Sequence, residues 1–366
     1  MGFKCGIVGL PNVGKSTLFN ALTASAQAEA ANYPFCTIEP NSGIVSVPDD
    51  RIAKLASIAG SAKIIPTYME FVDIAGLVAG ASKGEGLGNK FLGHIREVDA
   101  IIHVLRCFED SDITHVHGKI DPIHDAEIIE TELVLADLES VEKRMSNAEK
   151  KAKSGDKESK DLLESLRKVY VILAEGKPVR SIIKNKEDAL ELQALQLITS
   201  KPVLYVCNVL ENEAATGNTY SALVANMAEK EGASCVIISS KIEAEISLLE
   251  SNEEKAEFLE SVGLRETGLS KVVRAGHDLL NLKSYFTVGP KETHAWTFLS
   301  GATAPQAAGI IHTDFEKGFI RAEVISYDDY LKYNGEVGAK EAGRMRLEGK
   351  EYVVQDGDVM HFRFNV

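Results

Sequence analysis

The sequence predicts an α/β fold in which a parallel sheet with crossover helices is interrupted by a helical insertion and followed by a small α+β domain. Short apolar runs alternate with helical stretches over the first 130 residues, which is typical of a parallel sheet. Apolar residues then recur at 4-3-4 spacing in two stretches, which indicates two helices with apolar seams. Strand-like runs return near residues 202 and 235, and aromatic residues become frequent after residue 281.

The two helical seams define the insertion. They consist of Val134, Leu138, Val141 and Met145, and of Leu162, Leu166, Val169 and Leu173, with a polar turn near residues 154–156 between them. A third helix is predicted at residues 187–198. We therefore expect the α/β domain to comprise residues 1–130 and 200–280, the helical insertion residues 131–199, and the C-terminal domain residues 281–366.

The composition excludes several classes of protein. Hydrophobic residues make up 45% of the chain, and no apolar stretch approaches the roughly 20 residues that span a bilayer, so we expect no membrane association. The apolar run at residues 3–8 is too short for a signal peptide, and the five cysteines form no C-x-x-C pair, which favours a cytoplasmic location. The nine histidines lack the ligand spacing of a transition-metal site.

Charge is distributed unevenly along the chain. The net charge of −14 argues against wholesale wrapping of nucleic acid and against DNA specificity. Between residues 143 and 186, however, 13 Lys and Arg stand against 6 Asp and Glu. This basic element is a candidate docking surface for a phosphate backbone, and a merely solvated helical face explains the same pattern equally well.

Residues 9–16 read G-x-x-x-x-G-K-S and directly follow the apolar run at residues 3–8. A strand, a glycine-rich turn and a helix N-terminus in this order direct backbone N–H groups at one point, where a polyphosphate binds. Lys15 would reach the terminal phosphates, and Ser16 would hold Mg²⁺. The sequence therefore predicts a nucleoside-triphosphate site whose phosphate-binding residues are Asn12, Val13, Gly14, Lys15, Ser16 and Thr17.

A second motif, D-x-x-G, begins at Asp73 after a predicted strand. The Asp73 carboxylate would hold Mg²⁺ through water, and the N–H of Gly76 would face the γ-phosphate. Thr37 lies between the two motifs and is the candidate that closes over the metal. We predict the catalytic residues to be Lys15, Asp73 and Gly76, and the Mg²⁺ site to be Ser16, Thr37 and Asp73.

The predicted base site departs from the guanine pattern. A guanine-specific site carries N-K-x-D at the end of a strand, and its Asp accepts two hydrogen bonds from the base. The literal match at residues 185–188 lies in the helical insertion with no buried strand before it. The predicted strand at 202–207 is followed instead by N-V-L-E, which removes the specific support for guanine. The predicted base-binding residues are Asn208, Val209, Glu211, Ser239 and Ser240, with Lys241 completing the pocket.

Longer strings resemble the YchF family, the Obg-like ATPases, over essentially the whole chain. They lie at residues 9–17, 32–41, 73–89, 208–211, 301–309 and 312–319. The resemblance implies a P-loop NTPase domain of the translation-factor class (an OBG-type G domain), a coiled-coil insertion and a C-terminal TGS domain with a ubiquitin-like β-grasp fold. It also implies hydrolysis of ATP in preference to GTP, binding to the 70S ribosome and its large subunit, and a position beside the adenine for Val209.

The sequence does not identify the group that positions the attacking water. Many GTPases place a Gln directly after D-x-x-G, whereas this chain has Leu77, which cannot orient water by hydrogen bonding. The glycine-rich loop at residues 80–89 would move over the phosphates. His115 and His117 are candidates for orienting water, and surface histidines are the alternative interpretation. Asn12 resembles the asparagine that coordinates a monovalent ion in potassium-stimulated relatives, so K⁺ is a second candidate cofactor.

Three functions are compatible with these residues. The first is a nucleotide-switched ATPase of the translation machinery, which docks on the ribosome or its RNA through the basic insertion and the TGS domain. The second is a nucleotide-binding adaptor with low turnover, which Leu77 allows. The third is a conventional GTPase, whose only literal support is the motif at residues 185–188.

Overall fold

The computed structural model describes residues 3–30, 41–74, 87–115, 118–153 and 156–365. The chain forms two units, one of Met1–Val45 with Glu70–Gly276 and the other of Ser46–Met69 with His277–Val366. The described residues form twelve strands: β1 Lys4–Val8, β2 Ser42–Ser46, β3 Ile64–Ile65, β4 Tyr68–Asp73, β5 Ala100–Arg106, β6 Val203–Asn208, β7 Ser234–Ile238, β8 Leu282–Val288, β9 Thr293–Leu299, β10 Phe319–Ile325, β11 Arg346–Glu348 and β12 Val359–Phe364.

The same residues form fourteen α-helices: α1 Lys15–Ala30, α2 Asp50–Ala59, α3 Leu87–Glu97, α4 Pro122–Ala152, α5 Lys157–Ala174, α6 Lys186–Gln193, α7 Thr219–Glu231, α8 Ser240–Ile246, α9 Asn252–Ser261, α10 Gly268–Leu279, α11 Ala304–Ile311, α12 Thr313–Lys317, α13 Tyr327–Lys332 and α14 Glu336–Glu341. The longest, α4, begins with a proline after the N-cap Asp121, whose side chain accepts the N–H of His124. None of these helices combines the length and the apolar character needed to cross a membrane.

The sheet of the first unit has the strand order β2-β4-β1-β5-β6-β7. β1 pairs in parallel with β4 and β5, β5 with β6, and β6 with β7. Every residue of β5 and β6 is buried, which explains why their sequences are mostly apolar runs rather than alternating ones. Parallel strands end at the same edge of a sheet, so the loops that follow these five strands meet there. The predicted parallel sheet is confirmed.

The helical insertion is a hairpin of α4 and α5, and its core matches most of the predicted seam. One cluster buries Val134, Val141, Leu166, Val169 and Leu173. Leu162 is wrong as a seam residue, since it is 37% exposed, whereas the adjacent Leu163 is 9% exposed. Successive helical residues point about 100° apart, so only one of the two leucines is buried. The third predicted helix is shorter than expected and ends at Gln193.

The sheet of the second unit has the strand order β11-β10-β12-β8-β9-β3 and carries two buried clusters. In one, Tyr285 packs with α11 and donates its hydroxyl hydrogen to the carbonyl oxygen of Ala307 at 2.9 Å. In the other, Phe286 packs with Ile52 and Leu55 of α2. Because successive strand residues point to opposite faces, β8 contributes to both clusters.

Residues 46–69 belong to the second unit, which the sequence does not predict. Their strand β3 pairs in parallel with β9. Arg51 of α2 forms ion pairs with Asp49 at 2.8 Å and with Asp356 at 2.9 Å. Hydrogen bonds to these two carboxylates raise the pKa of Arg51 although burial opposes the rise. This segment continues the alternation of apolar runs and helical stretches, so nothing local in it marks its association with the C-terminal residues.

Candidate nucleotide-binding site

The phosphate loop connects β1 to α1, as the sequence predicts. Asn12, with φ of 64°, and Gly14, with φ of 93°, adopt left-handed backbone conformations. A side chain at Gly14 would collide with the amide of Asn208. A Cβ atom at Gly9 would lie 2.8 Å from the carbonyl oxygen of Val104. Both glycines are therefore required by the close approach of β5 and β6 to the loop.

Lys15 and Asp73, two of the predicted catalytic residues, are in direct contact. The ammonium group of Lys15 forms an ion pair with the carboxylate of Asp73. The two side chains are only 10% and 18% exposed, so little water screens the attraction between them. The fold therefore brings the predicted phosphate ligand and the predicted metal ligand together.

Asn208, at the end of β6, bridges two loops of the site. Its side-chain N–H donates to the carbonyl oxygen of Val13 at 2.9 Å, and its side-chain oxygen accepts the N–H of Ser240 at 2.9 Å. The neighbouring Val209 is buried, and its N–H donates to the carbonyl oxygen of Ile238 at 2.9 Å. The first residue of the predicted base motif thus fixes the phosphate loop and the loop after β7 relative to each other.

Ser239 and Ser240 follow β7 and are 2% and 3% exposed. Neither hydroxyl oxygen has a hydrogen-bond partner in the part of the chain that the structure describes. Buried polar groups in proteins are nearly always hydrogen-bonded, so water or a bound polar ligand is needed to satisfy these two adjacent hydroxyls. Both serines are among the predicted base-binding residues.

Glu211 and Lys241 of the predicted base pocket form an ion pair. The hydrogen bond from Lys241 lowers the pKa of the Glu211 carboxyl, and the same contact raises the pKa of the Lys241 ammonium. Both charges are therefore retained near neutral pH. The sequence placed both residues in the pocket but gave no sign that they contact each other.

Arg106, at the end of β5, is a structural residue that the sequence does not reveal. It is 2% exposed, and its guanidinium donates to the carbonyl oxygens of Phe108 at 3.2 Å, Asp110 at 3.1 Å and Ile113 at 2.9 Å. Burial lowers its pKa from the ordinary value. Its three bonds fold the loop after β5 around one side chain. The only sequence signal for this role is a single Arg at the end of an apolar run.

The loop held by Arg106 also contacts the phosphate loop. The side-chain N–H of Asn12 donates to the carbonyl oxygen of Thr114 at 3.1 Å. The next residue, His115, is 8% exposed, and its Nε2 lies 2.9 Å from a carboxylate oxygen of the buried Asp125. The interpretation of His115 as a surface histidine is therefore wrong. It directly follows Thr114, which contacts the phosphate loop, and it is still a candidate for orienting water.

The residues assigned to Mg²⁺ have the chemistry that this ion prefers. Ser16 offers an exposed hydroxyl in the first turn of α1, and Asp73 offers a carboxylate. Mg²⁺ takes oxygen ligands and is commonly held by one or two protein groups together with phosphates. No cluster of three or more His, Cys, Asp or Glu suitable for a metal exists within the described ranges. The donor set therefore fits a nucleotide-bound Mg²⁺ rather than a protein cage.

Several predicted site residues lie outside the described residues. They are Thr37, Gly76, Leu77 and His117, together with residues 80–86 of the glycine-rich loop. The roles given to them stay predictions.

The N-K-x-D match in the insertion has a structural explanation. The Asn185 side chain accepts the N–H groups of Glu187 and Asp188, both at 2.9 Å, and so caps α6. The Asp188 carboxylate accepts the N–H of Lys184 at 3.1 Å. Both side chains serve a helix N-terminus, so the literal support for a guanine site is lost.

Known proteins match the chain along its whole length. A family model described as "50S ribosome-binding GTPase" matches residues 4–137, and a model for the C-terminal part of YchF GTPases, described as a protein of unknown function (DUF933), matches residues 282–365. The ribosome-binding ATPase YchF of Haemophilus ducreyi is 60% identical over 366 residues, with 100% of both chains covered. The chain belongs to the YchF family. The YchF proteins of Bacillus subtilis and Escherichia coli O157:H7 are each 56% identical, again over the whole of both chains.

A solved structure shows the same fold. The structure of the Schizosaccharomyces pombe YchF GTPase matches with a TM-score of 0.88 at 38% sequence identity, covering 99% of this chain and 98% of that chain. The predicted fold class is therefore confirmed as a P-loop NTPase domain with a helical insertion and a C-terminal TGS-like domain.

Proposed function

We propose that this YchF-family protein hydrolyses ATP to ADP and phosphate with Mg²⁺ and acts as a nucleotide switch on the ribosome. Its class, a P-loop nucleoside-triphosphate hydrolase, follows from the family. The contact between Lys15 and Asp73 carries the proposal, because it joins the ligands that phosphate and metal would need. An ATPase assay with Mg²⁺, and with Lys15→Ala as the inactive reference, tests it.

The chemistry assigned to the site is charge neutralisation around the terminal phosphates. Lys15 would bind the β- and γ-phosphates, while Ser16 and Asp73 would hold Mg²⁺, which supplies positive charge to phosphate oxygens when bound. We also propose that Thr37 closes over the metal and that the N–H of Gly76 faces the γ-phosphate. Because Lys15 and Asp73 would then have different partners, nucleotide binding would separate their ion pair.

The proposed preference for ATP over GTP rests on residues 208–211. A Glu stands where guanine sites have Asp, and Val209 stands where they have Lys. The relatives differ on this point, since the bacterial proteins are described as ATPases and the S. pombe protein as a GTPase. Competition between ATP and GTP for the purified protein tests the preference. Tighter binding of GTP would contradict it.

We place the ribosomal RNA contact at the end of the α4–α5 hairpin. Four exposed lysines there form no ion pair with any carboxylate of the described residues: Lys150, Lys153, Lys157 and Lys160. Farther from the turn, basic residues are paired with glutamates, for example Lys143 with Glu139 at 2.5 Å. Lysines without a partner keep their charge available to phosphates. The TGS-like domain is the second proposed contact.

Co-sedimentation with ribosomes and ribosome-stimulated ATPase activity test this surface. The double variant Lys153→Glu/Lys157→Glu should lose ribosome binding and ribosome stimulation while keeping its basal ATPase rate. The control Lys184→Glu/Lys230→Glu makes the same change of charge at exposed sites away from the turn. Equal losses in the two variants would indicate a nonspecific effect of net charge and contradict the assignment.

Leu77 supports a second candidate function, a nucleotide-binding adaptor with low turnover. With no glutamine after D-x-x-G, hydrolysis needs another group to orient water. Single-turnover kinetics separate the two functions, because an adaptor would retain intact ATP for hours.

We further propose that K⁺ accelerates turnover through Asn12. The side-chain N–H of Asn12 donates to Thr114, so its Oδ1 is the atom that would coordinate the ion. Equal ATPase rates in matched K⁺ and Na⁺ buffers would rule this out.

A further inference from the structure

We propose that the ion pair between Glu211 and Lys241 is a determinant of base selection. In this role Lys241 holds one carboxylate oxygen of Glu211 and so competes with the two-oxygen contact by which a carboxylate recognises guanine. The inference rests on the proposed function in one respect, namely that the loops after β6 and β7 bind the base. It adds a role for Lys241 and a physical reason for discrimination against guanine.

Hydrogen bonds join the two loops that carry the pair. The side-chain oxygen of Asn208 accepts the N–H of Ser240 at 2.9 Å, and the N–H of Val209 donates to Ile238 at 2.9 Å. Glu211 lies three residues after Asn208, and Lys241 directly follows Ser240. The two charged side chains therefore start from backbone positions that hydrogen bonds already hold together.

The contact engages one defined oxygen. Lys241 Nζ pairs with Oε1 of Glu211, and the two side chains are 68% and 36% exposed. The pair is thus accessible from solvent. A charge-assisted hydrogen bond of this kind is stronger than a neutral one, so a base that needs Oε1 competes with the ammonium group for it.

Guanine and adenine make different demands on such a carboxylate. Guanine presents two adjacent donors, N1–H and the N2 amino group, which two carboxylate oxygens accept together. Adenine presents a single amino group at N6, for which one oxygen suffices. With Oε1 held by Lys241, the other oxygen can still accept the amino group of adenine, whereas the paired contact with guanine is weakened. Discrimination by unmet hydrogen bonds is the mechanism that separates similar substrates most strongly.

Titration of the full-length protein with ADP and with GDP tests the proposal, because diphosphates carry the same bases and are not hydrolysed. Lys241→Met frees both oxygens of Glu211, so the affinity for GDP relative to ADP should rise about tenfold. Lys230→Met replaces another exposed lysine, on α7, and should leave the ratio unchanged. An unchanged ratio in Lys241→Met would overturn the proposal.

Glu211→Gln tests the pair from the other side. This variant breaks the ion pair without creating a free carboxylate, so it should give no gain for GDP, alone or combined with Lys241→Met. A gain for GDP that persists in the double variant would show that Glu211 is not the acceptor and would overturn the inference. The proposed preference for ATP fails separately, if the unmodified protein binds GDP as tightly as ADP, because the inference concerns the change in the ratio.

Discussion

Asn208 donates a hydrogen bond of 2.9 Å to the carbonyl oxygen of Val13, a residue 195 positions earlier in the chain. The same side chain accepts the N–H of Ser240 at 2.9 Å. A residue that sequence patterns assign to base recognition therefore determines the geometry of the phosphate loop. Nucleotide affinity and local stability should depend on it together.

Asn208→Ala should weaken nucleotide affinity and lower local stability. It leaves the carbonyl of Val13 and the N–H of Ser240 without partners in a buried place, which costs about 1–3 kcal/mol of the free energy of unfolding. We expect ADP affinity to fall in parallel, measured by calorimetric titration beside urea denaturation. Asn252→Ala, at the exposed start of α9, is the matched control. Unchanged ADP affinity in Asn208→Ala would contradict the bridging role.

Asp73→Asn should act on the Mg²⁺-dependent step. The substitution keeps the shape of the side chain and removes the charge that would hold the metal, so turnover should fall at least about tenfold and demand more Mg²⁺. Binding of ADP without Mg²⁺ should be largely preserved. Glu70→Gln offers a control in the same strand, where it removes the charge that forms one ion pair with Lys4. A Mg²⁺ dependence identical to that of the unmodified protein would show that Asp73 is not a metal ligand.

Arg106→Met should destabilise the loop after β5 and, through it, the phosphate loop. Three carbonyl oxygens lose their donor, and we expect the free energy of unfolding to fall by about 3 kcal/mol. Because Asn12 contacts the loop at Thr114, nucleotide affinity should also decrease. Urea denaturation and ADP titration measure the two effects. Arg274→Met, which removes an exposed arginine paired with Glu266, should change neither substantially.

His103 should make the protein less stable in mild acid. Burial, with a smaller contribution from the charge of Arg180, lowers its pKa from 6.5 to about 3 in the folded chain. The unfolded chain therefore binds a proton below about pH 6.5 that the folded chain does not. Stability from neutral His103 is complete above that pH and is lost as the pH falls towards 3, by at most about 1.4 kcal/mol per unit.

Urea denaturation at several pH values between 7.5 and 5 measures this contribution. In His103→Phe, which keeps a ring of similar size, the decline of the free energy of unfolding below pH 6.5 should be shallower. His361→Gln, at an exposed position, should decline like the unmodified protein. Parallel curves for all three proteins would mean that His103 does not take up the proton.

The sequence predicts the parallel sheet and the order of its motifs because both are encoded in short local patterns. Which of Leu162 and Leu163 is buried depends on which side of α5 packs inward, which spacing alone does not determine. The pairing of β3 with β9 joins residues more than two hundred positions apart, and the burial of Arg106 depends on a loop folding around it. These features arise from tertiary contacts, and so does the ion pair of Glu211 with Lys241.

We propose above all that the site of Lys15, Asp73 and Asn208 hydrolyses ATP. Its most direct test is kcat/KM for ATP and for GTP, measured with Mg²⁺ on the unmodified protein and on Lys15→Ala. We predict a higher kcat/KM for ATP than for GTP, and loss of both activities in Lys15→Ala. A higher value for GTP, or hydrolysis of ATP that Lys15→Ala leaves intact, would contradict the claim.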